Sequence, residues 1–205
     1  MILVNRVEMA TSWRGKYVAL LLVKGESKRL PGKNRKVFHG KPMYLWNVEK
    51  CLTLFDKVFV SSEDPEILEE AFQAGAIPIS RPDELCGDTP NIPVYQHAIQ
   101  FMGDVGGIVA VQANSPNVEI NLIAIARHLM ESGVDELMTC HPNRTLYGSI
   151  WAIKKDKLAK YKNPMRPKPN VLLVDTSEDI HTEEDFKKAV DNFGIISGQL
   201  KASKE

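Results

Sequence analysis

Lys24-Gly25-Glu26-Ser27-Lys28-Arg29-Leu30-Pro31-Gly32-Lys33-Asn34-Arg35-Lys36 follows directly on the apolar run Val18-Ala19-Leu20-Leu21-Leu22-Val23. A short run rich in Val and Leu reads as a buried strand. The basic loop therefore leaves the strand's carboxyl end, where open α/β sheets place their ligands. Glycine lets backbone N–H groups approach an anion closely, and six cationic side chains (Lys24, Lys28, Arg29, Lys33, Arg35, Lys36) supply positive charge. A polyphosphate is the plain target, although a solvated turn fits the same charges. The common phosphate motifs do not fit. A Walker A loop needs G-x-x-x-x-G-K-[ST] running into a helix, whereas here Asn34 follows Lys33 and Pro31 prevents a smooth helical start.

The stretch Gly25 to Asn34, followed by Gly40-Lys41-Pro42-Met43, resembles the signature loop of the acylneuraminate cytidylyltransferase family, which includes CMP-sialic acid and related CMP-sugar-acid synthetases. The family pattern is roughly A-R-G-G-S-K-R-I-P-G-K-N, then G-K-P-L. Lys24 stands where the family usually has Arg, and Glu26 where it often has Gly. Lysine keeps the charge but lacks the planar fork for bidentate phosphate contact. The resemblance implies a nucleotide-diphospho-sugar transferase type of fold, a three-layer α/β/α sandwich on a mostly parallel, Rossmann-like sheet. It also implies CTP as the nucleotide, with Lys24, Gly25, Ser27, Lys28 and Lys33 at the phosphates and Asn34 near the base.

The whole chain is compatible with that class. A length of 205 residues suits one α/β domain, here residues 17–205 behind an extension, 1–16, without helical or strand period. With 26 basic and 26 acidic residues the net charge is zero, so no overall field draws the protein to nucleic acid or to a membrane. Any anion site must be local. Three cysteines, Cys51, Cys86 and Cys140, lie at no metal-ligand spacing and point to a reducing cytoplasm. No apolar run approaches the ~20 residues of a membrane-spanning helix.

Strands and helices alternate along the chain, which predicts a parallel sheet. Pro42 with Met43, Leu45, Trp46, Val48 and Leu52 reads as a helix begun by proline. A strand at 57–62, a helix from Pro65 through Phe72, and a strand at 75–80 follow. Further along come a helix at about 92–101, a strand at 107–111, a helix at 119–131, and strands at 137–140 and 171–174. A helix beyond Thr182 closes the series, with Thr182 and Asp185 at capping-box spacing.

Three further stretches carry the resemblance. Arg81-Pro82-Asp83-Glu84-Leu85-Cys86-Gly87-Asp88-Thr89 is similar to the family's R-P-x-E-L-A-x-D-T, which implies a nucleotide contact from Arg81 and a loop shaped by Asp88. Read on its own, Asp88 equally fits a turn cap. Gln112-Ala113-Asn114-Ser115-Pro116-Asn117 is similar to L-Q-P-T-S-P-L-R and implies Gln112 as an acceptor contact, with Asn117 in place of the family's Arg. Asp179-Ile180-His181-Thr182 is similar to D-I-D-T, whose Asp side chains hold Mg²⁺ on the triphosphate. Asp179 matches, and His181 replaces the second Asp. Imidazole is a poor ligand for magnesium, so metal binding is weakened or rearranged, compensated by Asp175 or Glu178, or lost with the activity.

Between a His-Pro, here His141-Pro142, and a strand with which Tyr147-Gly148-Ser149-Ile150 can align, the family carries a long dimerisation arm that is almost absent here. Any homodimer must then form without it, and the acceptor cannot be carried over from the family. His141 alone fits a turn residue better than a ligand. The basic stretch 162–170 reads chiefly as a connection. The leading expectation is CMP transfer from CTP to a small acidic sugar or similar anion, with Lys24, Lys33 and Asp179 acting and Mg²⁺ as cofactor. A nucleotide-binding protein without transfer, and a transferase using another base, are the alternatives.

Overall fold

Alternate residues of β1 (Tyr17–Leu22) enter two different cores, and that requires both faces of the strand to be covered. Ala19 and Leu21 join one apolar cluster, and Val18 and Leu20 the other. The same division runs through β4 (Val58–Ser62) and β6 (Gly107–Val111), which flank β1 in parallel. On the first face lie α1 (Leu45–Leu54), α2 (Pro65–Gln73) and α4 (Ile120–Glu131), contributing Val48, Ile67 and Ile123 among others. The second face is covered by α3 (Asn91–Ala98), a 3-10 turn after it, and α5 (Lys155–Ala159), with Ile92, Tyr95 and Leu158. The fold is a three-layer α/β/α sandwich, as expected. These features belong to a computed structural model, which describes residues 16–162 and 167–202. Except for Lys16, the extension read over 1–16 lies outside the described residues, as does the middle of the 162–170 loop.

β5 (Ile77–Ser80), β7 (Glu136–Cys140), β8 (Leu146–Lys154) and β9 (Val171–Val174) complete a seven-stranded sheet in the order β5-β4-β1-β6-β8-β7-β9. Only β8 runs antiparallel to its neighbours. From β1 the chain steps outward to β4 and β5, then crosses through α3 to β6 on the other side of β1. The strand order reverses between β1 and β6, so their carboxyl ends open the crevice where such sheets take ligands.

Two details depart from the sequence reading. Pro42 does not begin a helix. It pairs with Val37 in a short ribbon formed by β2 (Val37–Phe38) and β3 (Lys41–Pro42), and α1 starts at Leu45. His39 (φ 45°) and Gly40 (φ 89°) turn that ribbon. The other is the long antiparallel β8 with α5 behind it, of which only the segment around Ile150 was legible. Where the sequence reading found the family's arm almost absent, His141 N–H bonds to the Thr145 carbonyl (2.9 Å) in a tight turn. The register between β7 and β8 then shifts after Met138, where Gly148 takes φ 73°. A bulge of this kind bends the strand and re-aims its side chains.

A third core stands apart from the sheet. Leu30, Phe38, Met43, Ile180, Phe186 and Ala189 pack together, so the ribbon after the basic loop is clasped by α6 (Glu183–Ala202) near the other end of the chain. The Phe38 ring meets Phe186 and Phe193 with centroids 5.8 and 5.2 Å away. Trp46 adds its indole and donates Nε1–H to the Phe38 carbonyl (2.7 Å). No helix among the described residues is long and apolar enough to cross a membrane.

Phe38 is fully buried whereas its neighbour Val37 is 69% exposed. Phe38→Ala is therefore expected to lower unfolding stability by about 3–4 kcal/mol, and Val37→Ala by under about 0.5 kcal/mol. Urea denaturation of the two variants checks the contrast.

Candidate active site

A cavity of about 590 Å³ opens at the carboxyl ends of β1 and β6. Four of the six cations of the basic loop line it: Lys24, Lys28, Arg29 and Lys33. The other two are committed outward, Arg35 to Glu66 and Glu70 on α2, and Lys36 to Glu183 at the start of α6 (2.6 Å). The chain is neutral overall, yet this cavity is lined by Lys24, Lys28, Arg29, Lys33 and Arg81 against two carboxylates, Glu26 and Asp88, an excess of positive charge that draws an anion in.

The walls hold the loop in place from several sides. Asn34 is buried and donates Nδ2–H to the Lys24 carbonyl (2.8 Å), closing the loop on itself. Gly25 was expected to free its N–H for phosphate; the structure gives it other work. Its N–H donates to Glu63 Oε1 (2.9 Å), and a Cβ there would stand 2.7 Å from the Asp64 carboxylate. Asp64 must be there, because its Oδ1 accepts from the Glu66 and Ile67 N–H groups and caps α2. Gly25 is thus a packing requirement and does not line the cavity.

Arg81 also proves to be framework more than free contact. Its side chain is 1% exposed, and its guanidinium donates to the Ser61 carbonyl (2.7 Å) and Glu63 Oε2 (3.0 Å) while one edge reaches the cavity. Burial pushes its pKa down and Glu63 opposes the shift. Glu63 consequently ties Gly25 and Arg81 together, a role that two unrelated sequence positions do not announce.

Lys24 and Lys28 reach across the mouth. Lys24 donates to the Gly87 carbonyl (2.8 Å) and Lys28 pairs with Asp88 (2.5 Å). Both links are exposed, and the Asp88 carboxyl is held below its usual range by the Lys28 bond. Exposed ion pairs contribute little, so phosphate oxygens can take either lysine. Ser27 lines the same wall and its hydroxyl accepts weakly from Leu30 N–H (3.4 Å).

Opposite the cations stands the segment after β9. Lys33 donates to the Ile180 carbonyl (3.0 Å), and burial lowers its pKa while Asp179 works against that. Asn114, from the loop after β6, donates to one Asp179 oxygen. His181 Nε2–H donates to the other (2.7 Å), which leaves Nδ1 to accept from Arg29 (2.7 Å). The backbone beneath is fixed by a capping box: Asp185 accepts from His181 and Thr182 N–H groups (3.0 and 2.8 Å) and Asp185 N–H returns to Thr182 Oγ1 (3.2 Å).

This arrangement bears on the metal. A His181 ring with one nitrogen donating and the other accepting has no lone pair left for a cation. Asp175 is buried against Ser149 and Ser177, and Glu178 is held by Asn117 and Asn192, so neither replaces the missing carboxylate. No three His, Cys, Asp or Glu side chains converge among the described residues. Magnesium commonly takes one or two carboxylates and completes its shell with phosphates and water. Asp179 meets the lower of those two requirements.

On the far side of the cavity Gln112 lines the wall and donates Nε2–H to the Gly148 carbonyl (2.9 Å) at the bulge of β8. Asn91 and Tyr95 of α3 face the same space. Of the residues predicted from sequence, Lys24, Ser27, Lys28, Lys33, Asn34, Arg81, Asp88 and Gln112 line one cavity, and Asp179 joins it through Asn114 and His181. Asn114 and Glu63 were missed. Asn114 at least stood within a quoted motif, two residues from Gln112.

A family model described as Cytidylyltransferase matches residues 18–193. The chain is 37% identical over 91 residues to the pseudaminic acid cytidylyltransferase of Campylobacter jejuni, covering 42% of this chain and 39% of that protein. It is 32% identical over 108 residues to the 3-deoxy-manno-octulosonate cytidylyltransferase of Synechococcus elongatus, covering 52% and 43%. The matches thus span about two fifths of the length of these curated relatives. Among solved structures, CMP:2-keto-3-deoxy-manno-octonic acid synthetase complexed with CTP superposes with a TM-score of 0.70 at 16% identity, over 88% of this chain and 99% of that one. A cytidylyltransferase from Leptospira borgpetersenii gives 0.64 at 17% identity, over 92% and 96%. At these identities the structural likeness is one of fold.

The Asp185 carboxyl is held below the usual range, chiefly by the His181 N–H bond. Its contribution to stability is therefore complete above the unfolded value of about 3.9 and is lost as pH falls through the lower folded value. Asp185→Ala should cost about 1 kcal/mol at neutral pH, and the gap to the parent protein should close in strong acid. Denaturation midpoints across an acid series check both.

Proposed function

The chain belongs to the cytidylyltransferase family, and on that premise we propose that it transfers CMP from CTP to a small acidic sugar or similar anionic acceptor, releasing pyrophosphate. The observation that carries the proposal is the union of the four basic-loop cations in the cavity with Asp179 across the β1–β6 crevice, through Lys33 to Ile180 and Asn114 to Asp179. A triphosphate is the ligand whose charge and length answer such a row. The names of the relatives, which specify pseudaminic acid, 3-deoxy-manno-octulosonate and N-acylneuraminate, point to sugar acids as acceptors.

In the proposed reaction an acceptor oxygen attacks the α-phosphorus of CTP, an O–P bond forms, and the bond to pyrophosphate breaks. Little covalent work falls to the protein, and catalysis is positioning and charge neutralisation. Lys24 and Lys28 exchange their exposed links for phosphate oxygens. Lys33, already partly desolvated, presents its ammonium from a fixed direction. Asn34 shapes the floor where the base would lie, and Gln112 faces the acceptor. Asp179 would hold Mg²⁺ arriving on the triphosphate, and that ion, when bound, supplies further neutralisation of phosphate charge.

A second reading has a specific observation behind it. With His181 fully engaged by Arg29 and Asp179, the chain offers a single metal carboxylate, which favours a nucleotide-binding protein whose transfer is impaired. Incubation with each NTP, Mg²⁺ and 3-deoxy-manno-octulosonate, N-acetylneuraminate or pseudaminate, followed by pyrophosphate measurement, separates the readings. Release with CTP and one sugar acid is expected. CTP binding by calorimetry without release from any pair would establish the second reading, and release with GTP or UTP alone would move the chain to another base.

Lys33→Ala removes one charge-assisted contact worth about 1.5–3 kcal/mol. CTP affinity measured by calorimetry should fall at least tenfold; an unchanged affinity would take the loop out of the mechanism.

A further inference from the structure

The loop after β6 has no regular structure of its own between Gln112 and Val118, yet it presents both Gln112 and Asn114 to the cavity. Its carbonyls are gathered by two side chains of α1. Asn47, fully buried, donates Nδ2–H to the Gln112 carbonyl (2.9 Å) and the Ser115 carbonyl (2.8 Å). Lys50, one turn further along the helix, donates to the Pro116 carbonyl (2.5 Å), the Val118 carbonyl (2.8 Å) and Asn47 Oδ1 (3.1 Å). An ammonium has three N–H donors, and here all three are used.

We propose that Asn47 and Lys50 are positioning residues that set the loop 112–118, and with it the acceptor side of the site. The word acceptor rests on the transferase reading above; the clamp itself does not. Four carbonyls of one irregular loop are bonded by two side chains of one helix, and the opposite edge of the loop is held at Gln112 to Ser149 and Gly148, Asn114 to the 179–180 segment, Ser115 to Tyr147 and Asn117 to Glu178. Removing the α1 contacts leaves Gln112 and Asn114 on a loop with one fixed side.

The clamp also carries a titratable group. Burial brings the Lys50 ammonium down to about 8, with Lys41 of β3 acting in the same direction and Cys51 of α1 and Asp175 after β9 opposing it. A neutral amine has two N–H donors, so one of its three acceptors loses its bond as pH rises through that value. The downward shift makes the charged form the costly one in the folded protein, so on Lys50's account global stability rises, and does not fall, above about 8. Loosening is confined to the loop.

Hydrogen–deuterium exchange on the full chain tests this, with rates corrected for the intrinsic effect of pH. In the parent protein, peptides over 112–118 are expected to exchange at least fivefold faster at pH 9 than at pH 7, while β4 stays unchanged. Lys50→Met should show the faster rate at both pH values and bind CTP within twofold of the parent by calorimetry. With the sugar acid that supports pyrophosphate release, its acceptor KM should rise at least tenfold and its CTP KM stay within twofold. A flat parent profile, or loop exchange in Lys50→Met equal to that of the parent at pH 7, overturns the proposal, as does an equal change in both KM values. Should Lys50→Met fail to fold, the parent's pH comparison decides alone. A parent that releases no pyrophosphate sinks the transferase reading, and exchange still decides the clamp.

Discussion

A bond spanning 147 residues of sequence, from the Lys33 ammonium to the Ile180 carbonyl, joins the two halves of the candidate site. It forms only because the third apolar core brings the chain's early ribbon and its last helix together. Leu30 and Phe38 on one side and Ile180 and Phe186 on the other are buried in the same cluster. Ile180 serves both ends: its side chain belongs to that core, its carbonyl receives Lys33, and its N–H donates to Asn114 (3.0 Å). A site divided between the first and last strands of the chain is thereby made rigid by hydrophobic burial, with the polar bonds setting direction. The order of magnitude supports that division of labour, since a few buried aromatics contribute far more than one half-buried hydrogen bond.

Much of the fold was legible because its signals are local. Continuous apolar runs such as Val58-Phe59-Val60 and Ile108-Val109-Ala110-Val111 mark strands covered on both faces, and α2 carries its own start in Asp64-Pro65. The antiparallel β8 was only partly legible, because its direction depends on a turn whose residues, His141 to Thr145, have no strong signature. Pro42 misled for a related reason: proline suits the first turn of a helix and also an edge ribbon, and only the packing of Phe38 beneath α6 decides between them. Six of the loop's charges were visible, but not their division into four that face the cavity and two that do not. That division depends on Glu66, Glu70 and Glu183, which lie in other elements.

The misassigned glycine and the undervalued amides have a common cause. Gly25 was read for what a ligand would need, whereas the close approach it permits is to the Asp64 side chain capping the next helix. Asn47 sits in a helix among apolar residues and its type says nothing of what it holds. In the folded chain it is the partner of two loop carbonyls, those of Gln112 and Ser115, the second of which also accepts from Val118 N–H (3.1 Å). Buried polar side chains of this kind are placed by the need to pair main-chain groups, and that need arises only once an irregular loop has been laid over the helix. Sequence periodicity, which reports burial, is blind to it.

Histidine at position 181, where the resembled D-I-D-T motif has a second Asp, changes the electrostatics of the site. A second carboxylate would add negative charge beside Asp179 and call for a cation between them. His181 instead donates to Asp179 and accepts from Arg29, so the positive guanidinium, the neutral ring and the carboxylate form one hydrogen-bonded line. Arg29 is thereby oriented along the cavity wall it shares with Lys24, Lys28 and Lys33. Relative to the D-I-D-T motif that the segment resembles, the protein carries one negative charge fewer beside Asp179. On the proposed transferase reading, such a site would rely on its own ammonium and guanidinium groups for neutralisation to a greater degree than one built around paired carboxylates, because fixed cations need no bound ion to act.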